Sequence, residues 1–312
     1  MRALSSSLVV LVLTACSTDT GADTAESADT TPCGISATPS IPDGASGVFG
    51  GAPLRVTLSA PDPGATITAS FPGSLSWSDD VTMLYTPTPP LDPLASVTAT
   101  ITTCAGSSDI GWTTADVGGP LDAGVDLAAT GYRVDLASGT VRVPSTGPAL
   151  VSFLSGQGTE LLLGATPTGA GDLDFRLAVT VDGVQDPCSR TLDLPGGTLD
   201  RGYFAFMAPS ASFEVLDTLV ELEDLSFSGA FTRDGSALVG GALHGWIGVH
   251  ALAVAYAEGD DARACDFFGS LGAPCVPCPS GAGQCLELEV DDLSGTRTGT
   301  PVVAVTEACP ER

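Results

Sequence analysis

The sequence predicts a mainly β protein: an Ig-like β-sandwich followed by a larger antiparallel β domain with two short helices. Three observations carry this. Short runs alternate apolar and polar residues with period two, as in Leu54-Arg55-Val56-Thr57-Leu58. Turns rich in Pro, Gly and Asp separate them, among them PDGASG, APDPG and TPTPPLDP. Helix-forming composition without alternation is confined to one late stretch, near residues 250–268.

Composition removes several kinds of chemistry. The chain has 312 residues and a formal charge of −26, from Lys+Arg 11 against Asp+Glu 37. Every basic residue is Arg; there is no Lys and no Asn. Schiff-base catalysis, a P-loop lysine and an N-glycosylation sequon are therefore excluded. So acidic a chain has too few cations to neutralise phosphates, which argues against nucleic acid as a partner. Imidazole chemistry is limited to His244 and His250. The sequence contains no GxSxG, HExxH or GxGxxG in a suitable setting.

The first residues, MRALSSSLVVLVLTAC, combine Arg2 with a short apolar run, Leu4 to Leu13. That run is too short to span a bilayer and suits a signal peptide. Leu13-Thr14-Ala15-Cys16 resembles the lipobox of bacterial lipoproteins. The resemblance implies cleavage after residue 15, a diacylglyceryl thioether on Cys16, and a protein held in the membrane by its acyl chains. Ser17 in place of Asp implies, by analogy with enteric lipoproteins, the outer membrane or cell surface. Residues 16–32 continue as STDTGADTAESADTTP after the Cys, acidic and almost without apolar side chains. Such a stretch reads as a disordered tether, with a reach of about 20–24 Å.

Removing Cys16 leaves Cys33, Cys104, Cys188, Cys265, Cys275, Cys278, Cys285 and Cys309. An even remainder in an exported chain predicts disulfides. The expected pairing is 33–104, 188–309, 265–275 and 278–285, although six cysteines in the second domain allow fifteen arrangements. Zinc on the CxxC of Cys275 and Cys278 is the competing reading. The loop composition CVPCPSGAGQC and the compartment favour disulfides.

Residues 33–116 form the first folded unit. Strands are expected at 54–58, 65–69, 75–77, 81–85, 97–102 and 110–112. The run Ser40-Ile41-Pro42-Asp43-Gly44-Ala45-Ser46-Gly47-Val48 resembles the opening of bacterial Ig-like domains of the surface-layer type. Leu54 to Pro61 resembles their second strand, and Met83-Leu84-Tyr85-Thr86-Pro87 to Pro93 their strand and Pro-Leu corner. Val97 departs from the aromatic usual after that corner. The resemblance implies a spacer or adhesive module. Trp77, Trp112 and Tyr85 read as core residues, with a sugar platform as the other reading. Asp79-Asp80 reads as a solvated hairpin, since no DxDxDG loop supports calcium.

Val117-Gly118-Gly119-Pro120 reads as a linker, and residues 120–312 as the second domain. There, Tyr132–Leu136 and Thr140–Val143 are expected to pair as a hairpin. Phe175–Val181 ends at Asp182-Gly183. Leu225–Phe231 and Leu238–Ile247 flank the turn Arg233-Asp234-Gly235-Ser236, and their glycines suit a curved sheet or barrel. Two short helices follow, at 250–256 and 261–268, with Asp260 as N-cap. Strands are expected at 286–290 and 302–305. The domain resembles secreted lipoproteins of the myxobacterial type, and by analogy a lipid carrier.

Candidate catalytic pairs are weak. His244 and His250 on one strand would lie about 20 Å apart, too far for a shared metal. Glu221/Glu223 and Asp291/Asp292 have the residue types of glycoside hydrolysis, but Glu221 and Glu223 alternate with Val220, Leu222 and Leu225, the pattern of a solvated face. No catalytic residue, metal or cofactor is therefore expected. The sequence points to a surface-anchored protein for adhesion, recognition or envelope structure, acting on a glycan, protein or lipid. A lipid carrier and an extracytoplasmic hydrolase are the other readings.

Overall fold

The computed structural model describes residues 33–144, 160–215, 218–307 and 309. The segments expected to be a signal peptide and an acidic tether, with Cys16 between them, lie outside these residues.

Two four-stranded sheets make the first unit. One runs β1(Ala37–Pro39), β3(Leu54–Leu58), β6(Thr82–Pro87), β5(Gly73–Asp79). The other runs β2(Ala45–Val48), β8(Gly106–Thr114), β7(Ser96–Thr103), β4(Thr66–Ala69). All pairings are antiparallel except β2 on β8. Alternation sends Leu54, Val56, Leu58, Met83 and Tyr85 inward from one sheet to meet Val97, Ala99, Ile101, Ile110 and Trp112 from the other. Phe71 stands edge-on to Tyr85 and Trp112, and the Tyr85 hydroxyl donates to the Phe71 carbonyl at 3.0 Å. Burial confirms Trp112 and Tyr85 as core residues. Trp77 does not follow them. It sits on the edge strand β5, where its cover is incomplete, and is 39% exposed.

The second unit is a closed eight-stranded antiparallel barrel. Its strands are β9(Gly131–Val134), β11(Leu161–Pro167), β12(Asp172–Val181), β14(Leu192–Asp200), β15(Tyr203–Val215), β16(Thr218–Phe231), β17(Ala237–Gly248) and β19(Gln284–Arg297). Closure comes from β19 returning to β9, with Gly295 opposite Val134 and Arg297 opposite Tyr132. The glycines flagged by the sequence lie at register shifts of β16 and β17, between Ser228 and Ala230 and around Gly241, where the wall must bend. Between β14 and β15 only three residue pairs join the wall, Thr198 to Asp200 against Tyr203 to Ala205. Pro209 lies on the continuation of β15, where its missing N–H does least harm.

Rings from four strands fill the barrel. Phe175 packs on Phe204 and Phe206 at 5.2 and 5.1 Å, Phe204 on Phe227 and Phe231 at 5.3 and 4.9 Å, and Tyr132 on Phe231 at 5.0 Å. Small barrels are filled in this way by their own side chains. Leu121, Val125 and Leu127 add to this core from the segment that enters the barrel. Helices α1(Val249–Tyr256) and α2(Asp261–Ser270) extend it through Leu252, Ala253 and Phe268. The Asp260 side chain accepts from the Arg263 N–H at 3.1 Å, the cap expected of it.

Three expectations are corrected. The hairpin at 132–143 does not form: β9 and β10(Thr140–Val143) both pair with β19, at successive places along it. A 3-10 turn at Leu136–Ser138 carries the chain between them, and Gly139 passes too close to Val290 and Leu293 to bear a side chain. Residues 302–305 form no strand. They lie along the outer wall through Thr191 N–H to Val305 O and Val303 N–H to Gln185, with Val302 buried on Leu162 and Ala178. The last strand, β19, is far longer than 286–290, because it serves β9, β10, β17 and the short β18(Val276–Pro277) together. The turn at Asp182-Gly183 leads as expected into a short return strand, β13(Val184–Gln185), on β12.

The sandwich and barrel are packed together, and residues Ile35–Arg312 form one compact unit. Tyr203 is the joint: buried at the start of β15, it donates from its hydroxyl to the Leu91 carbonyl at 2.9 Å. The Phe49 ring lies 5.6 Å from that of Tyr203 and fills the space over Gly240. Arg201 pairs with Asp92, and Arg55 with Glu289 at 3.5 Å. The linker is clamped: Gly118 has φ +77°, and a Cβ there would fall inside the Tyr203 ring. Gly118→Val should therefore uncouple the units. Calorimetry should show one unfolding transition in the wild type and two in the variant.

Tyr132 is fully buried and donates to the Gly235 carbonyl at 3.0 Å. Burial, and secondarily the Asp234 carboxylate, push its phenol up to about 12, against the opposing pull of Arg297. A raised folded-state value means that this contribution to stability is complete below the unfolded value, about 10, and is lost as pH rises through the folded one. Denaturant unfolding should show stability falling between about pH 10 and pH 12. Tyr132→Phe should be less stable at neutral pH by about 1–2 kcal/mol, from the unpaired carbonyl, and should show a shallower alkaline decline.

Candidate functional site

The chemistry-bearing residues of the sequence converge on the outer face of β16, β17 and β19. Alternation turns Glu223, Trp246 and Glu287 outward on three neighbouring strands: Glu223 lies opposite Trp246, and Trp246 opposite Glu287. One step along, Ser226, His244 and Glu289 repeat the row. His244 Nε2 lies 3.3 Å from Glu287 Oε1, and its ring stands edge-on to Trp246 at 6.3 Å. Down β19 each outward carboxylate meets a base: Glu287 meets His244, Glu289 meets Arg55, and Asp291 meets Arg142 at 2.9 Å.

Glu223 ties this face to the cysteine-rich loop. It accepts from the Ser280 N–H and the Ser280 hydroxyl, each at 2.7 Å. Its carboxylate lies within 4.8 Å of the Cys278 and Cys285 sulfurs. Those sulfurs are bonded to each other, as are Cys265 with Cys275 and Cys188 with Cys309. Cys33 and Cys104 are disulfide-bonded as well. The zinc reading fails on this chemistry, since sulfurs held in disulfides offer no thiolates. The disulfides suit an oxidising, extracytoplasmic compartment.

Beside this face is a cavity of about 230 Å³, lined by Val143, Pro144, Ala273, Pro274, Leu286 and Glu287 among others. Its walls are apolar apart from the Glu287 carboxylate, which is already engaged by His244.

The remaining candidates do not come together. The chain turns from β17 into α1 at Val249, so His250 sits on a helix rather than on the strand of His244. It has its own carboxylate, Asp261, at 3.0 Å. Glu221 and Glu223 share the outer face as expected, but Glu223 is committed to Ser280. Asp291 is held by Arg142, and Asp292, at φ +60°, lies near the Thr140 hydroxyl. Asp79 closes its own hairpin by accepting from the Val81 N–H at 2.8 Å, which also lowers its carboxyl below the usual range. Sequence reading missed Tyr203 and Phe49 as the joint: Gly118-Gly119 read as a linker and the glycines of β17 as a bend, whereas Gly118 and Gly240 each also lie against a ring.

No protein-family model and no curated protein matches the sequence.

The Glu223 clamp makes a direct prediction. Glu223→Ala should release the 278–285 loop and make the Cys278–Cys285 bond reducible by dithiothreitol roughly tenfold faster, in line with the loss of two charge-assisted hydrogen bonds. Time-resolved alkylation and mass spectrometry read the rate, with the Cys188–Cys309 bond as the unchanged internal control.

Proposed function

We propose that this is an exported lipoprotein, acylated at Cys16, whose two β units act as one rigid, non-catalytic body for recognition or adhesion at the cell envelope. The supporting observation is the packing of the barrel. Its axis is occupied by Phe175, Phe204, Phe206, Phe227 and Phe231, so binding falls to the outer surface rather than to an interior ligand. The Tyr203 joint fits a body that must hold its binding surface at a set distance and orientation. In this reading the acidic tether separates that body from the bilayer. Two or three acyl chains anchor it where one would not, at about 0.8 kcal/mol per buried CH₂.

Metabolic labelling with a palmitate analogue tests the anchor. Label should enter the wild type and be lost in Cys16→Ala; an unlabelled wild type rejects the reading. A glycan and lipid array probed with the whole protein tests recognition.

A further inference from the structure

The sandwich core is unfinished along one edge. Leu75 and Trp77 lie opposite Tyr85 and Met83 of β6, which are both buried, so they point to the inner face of the sheet. Yet they remain 37% and 39% exposed, and every residue of β5 is exposed. An apolar side chain on the inner face of a sandwich gains its burial from the next strand or the facing sheet, and here the described residues cover each only in part.

The edge is also unguarded. Exposed edge strands are commonly kept short, or protected by Pro or charge. β1, the other edge of the same sheet, has 3 residues and ends in Pro39. β4, at the edge of the facing sheet, has 4 residues. β5 has 7, Gly-Ser-Leu-Ser-Trp-Ser-Asp, with no Pro and no charge before Asp79.

Charge selects the occupant. The chain carries −26, and its arginines are largely spent in ion pairs such as Arg55–Glu289, Arg142–Asp291 and Arg176–Asp193. A second copy would bring another −26 to the same edge. Asp79 and the exposed Asp80 stand together at the end of β5 and offer a cation a place to pair.

We propose that β5 is the docking edge for an extended segment of a cationic partner protein, which adds to the β1-β3-β6-β5 sheet as a fifth strand. This deepens, and rests on, the reading of the protein as a recognition module. In antiparallel addition, the better-bonded mode, the partner places apolar residues opposite Trp77 and Leu75, completing the core. A basic residue two positions before them falls opposite Asp79. Main-chain bonds supply affinity and the alternating side chains supply specificity.

The probe is the synthetic peptide acetyl-Arg-Thr-Val-Thr-Val-Thr-Val-amide, titrated into the purified, disulfide-bonded full-length protein by calorimetry and followed by amide hydrogen exchange. Exchange should slow at residues 73–79. Binding should weaken at least roughly tenfold in the Leu75→Thr/Trp77→Thr double variant, the loss typical of removing an aromatic anchor, and also when Glu replaces Arg in the peptide. Both substituted residues are already part-exposed, and Ser76→Pro provides a second, independent block. Equal affinity for the double variant, or protection away from β5, would mean general attraction to an acidic surface and overturn the proposal. So would absence of binding up to about 1 mM, or a wild-type dimer in sedimentation that the double variant abolishes. Acyl labelling of the same preparation separates the two readings. A labelled protein that ignores the peptide sinks the docking edge alone, and an unlabelled one that binds it sinks the anchor alone.

Discussion

The pairing of β19 with β9 is the constraint on which the second unit depends. Three residue pairs, Gly295 with Val134, Thr296 with Arg133 and Arg297 with Tyr132, turn a long sheet into a closed wall. Closure removes two exposed edges and fixes the interior volume. That volume is then filled by phenylalanines from β12, β15 and β16, each within ring-contact distance of the next. Tyr132 is buried at the same β9–β19 seam, with its hydroxyl committed to the Gly235 carbonyl.

Once the barrel is closed, its wall becomes a platform. The sandwich docks at the start of β15, where Tyr203 reaches Leu91 and Phe49 lies over Gly240. Glycines at 118 and 240 are required because backbone from one unit runs against a ring from the other. The two units pack as one compact body, and the outer faces are what it presents to its surroundings. The β16-β17-β19 face is tied up internally by its ion-pair ladder and the Glu223 clamp. The β5 edge is not, which is why it is the better candidate for contact with a partner.

The joint also explains how an acidic chain with only 11 basic residues is built. Arginines are placed where carboxylates would otherwise crowd: Arg201 at Asp92 and Arg55 at Glu289 across the joint, and Arg142 at Asp291 on the seam side of β19. Exposed pairs of this kind add little stability individually. Two of the three, Arg201–Asp92 and Arg55–Glu289, join residues of the sandwich to residues of the barrel.

Local structure was legible in the residue pattern. Alternation marked β3, β6, β7, β12 and the β16–β17 pair, because a strand with one buried face must alternate. Asp260 marked the start of α2, because a helix N-terminus has N–H groups to satisfy. An even count of cysteines after Cys16 pointed to disulfides. Of the candidate site, Glu223, His244 and the cysteines were legible as residue types, but their convergence was not. Which strands lie side by side was not legible there. Period-two patterning does not say which strand lies alongside, so β9 and β10 looked like a hairpin when both belong to β19. It also says which side of a sheet a residue faces, not whether anything covers that side. Trp77 therefore looked like core, and only the position of β5 at an edge left it part-exposed.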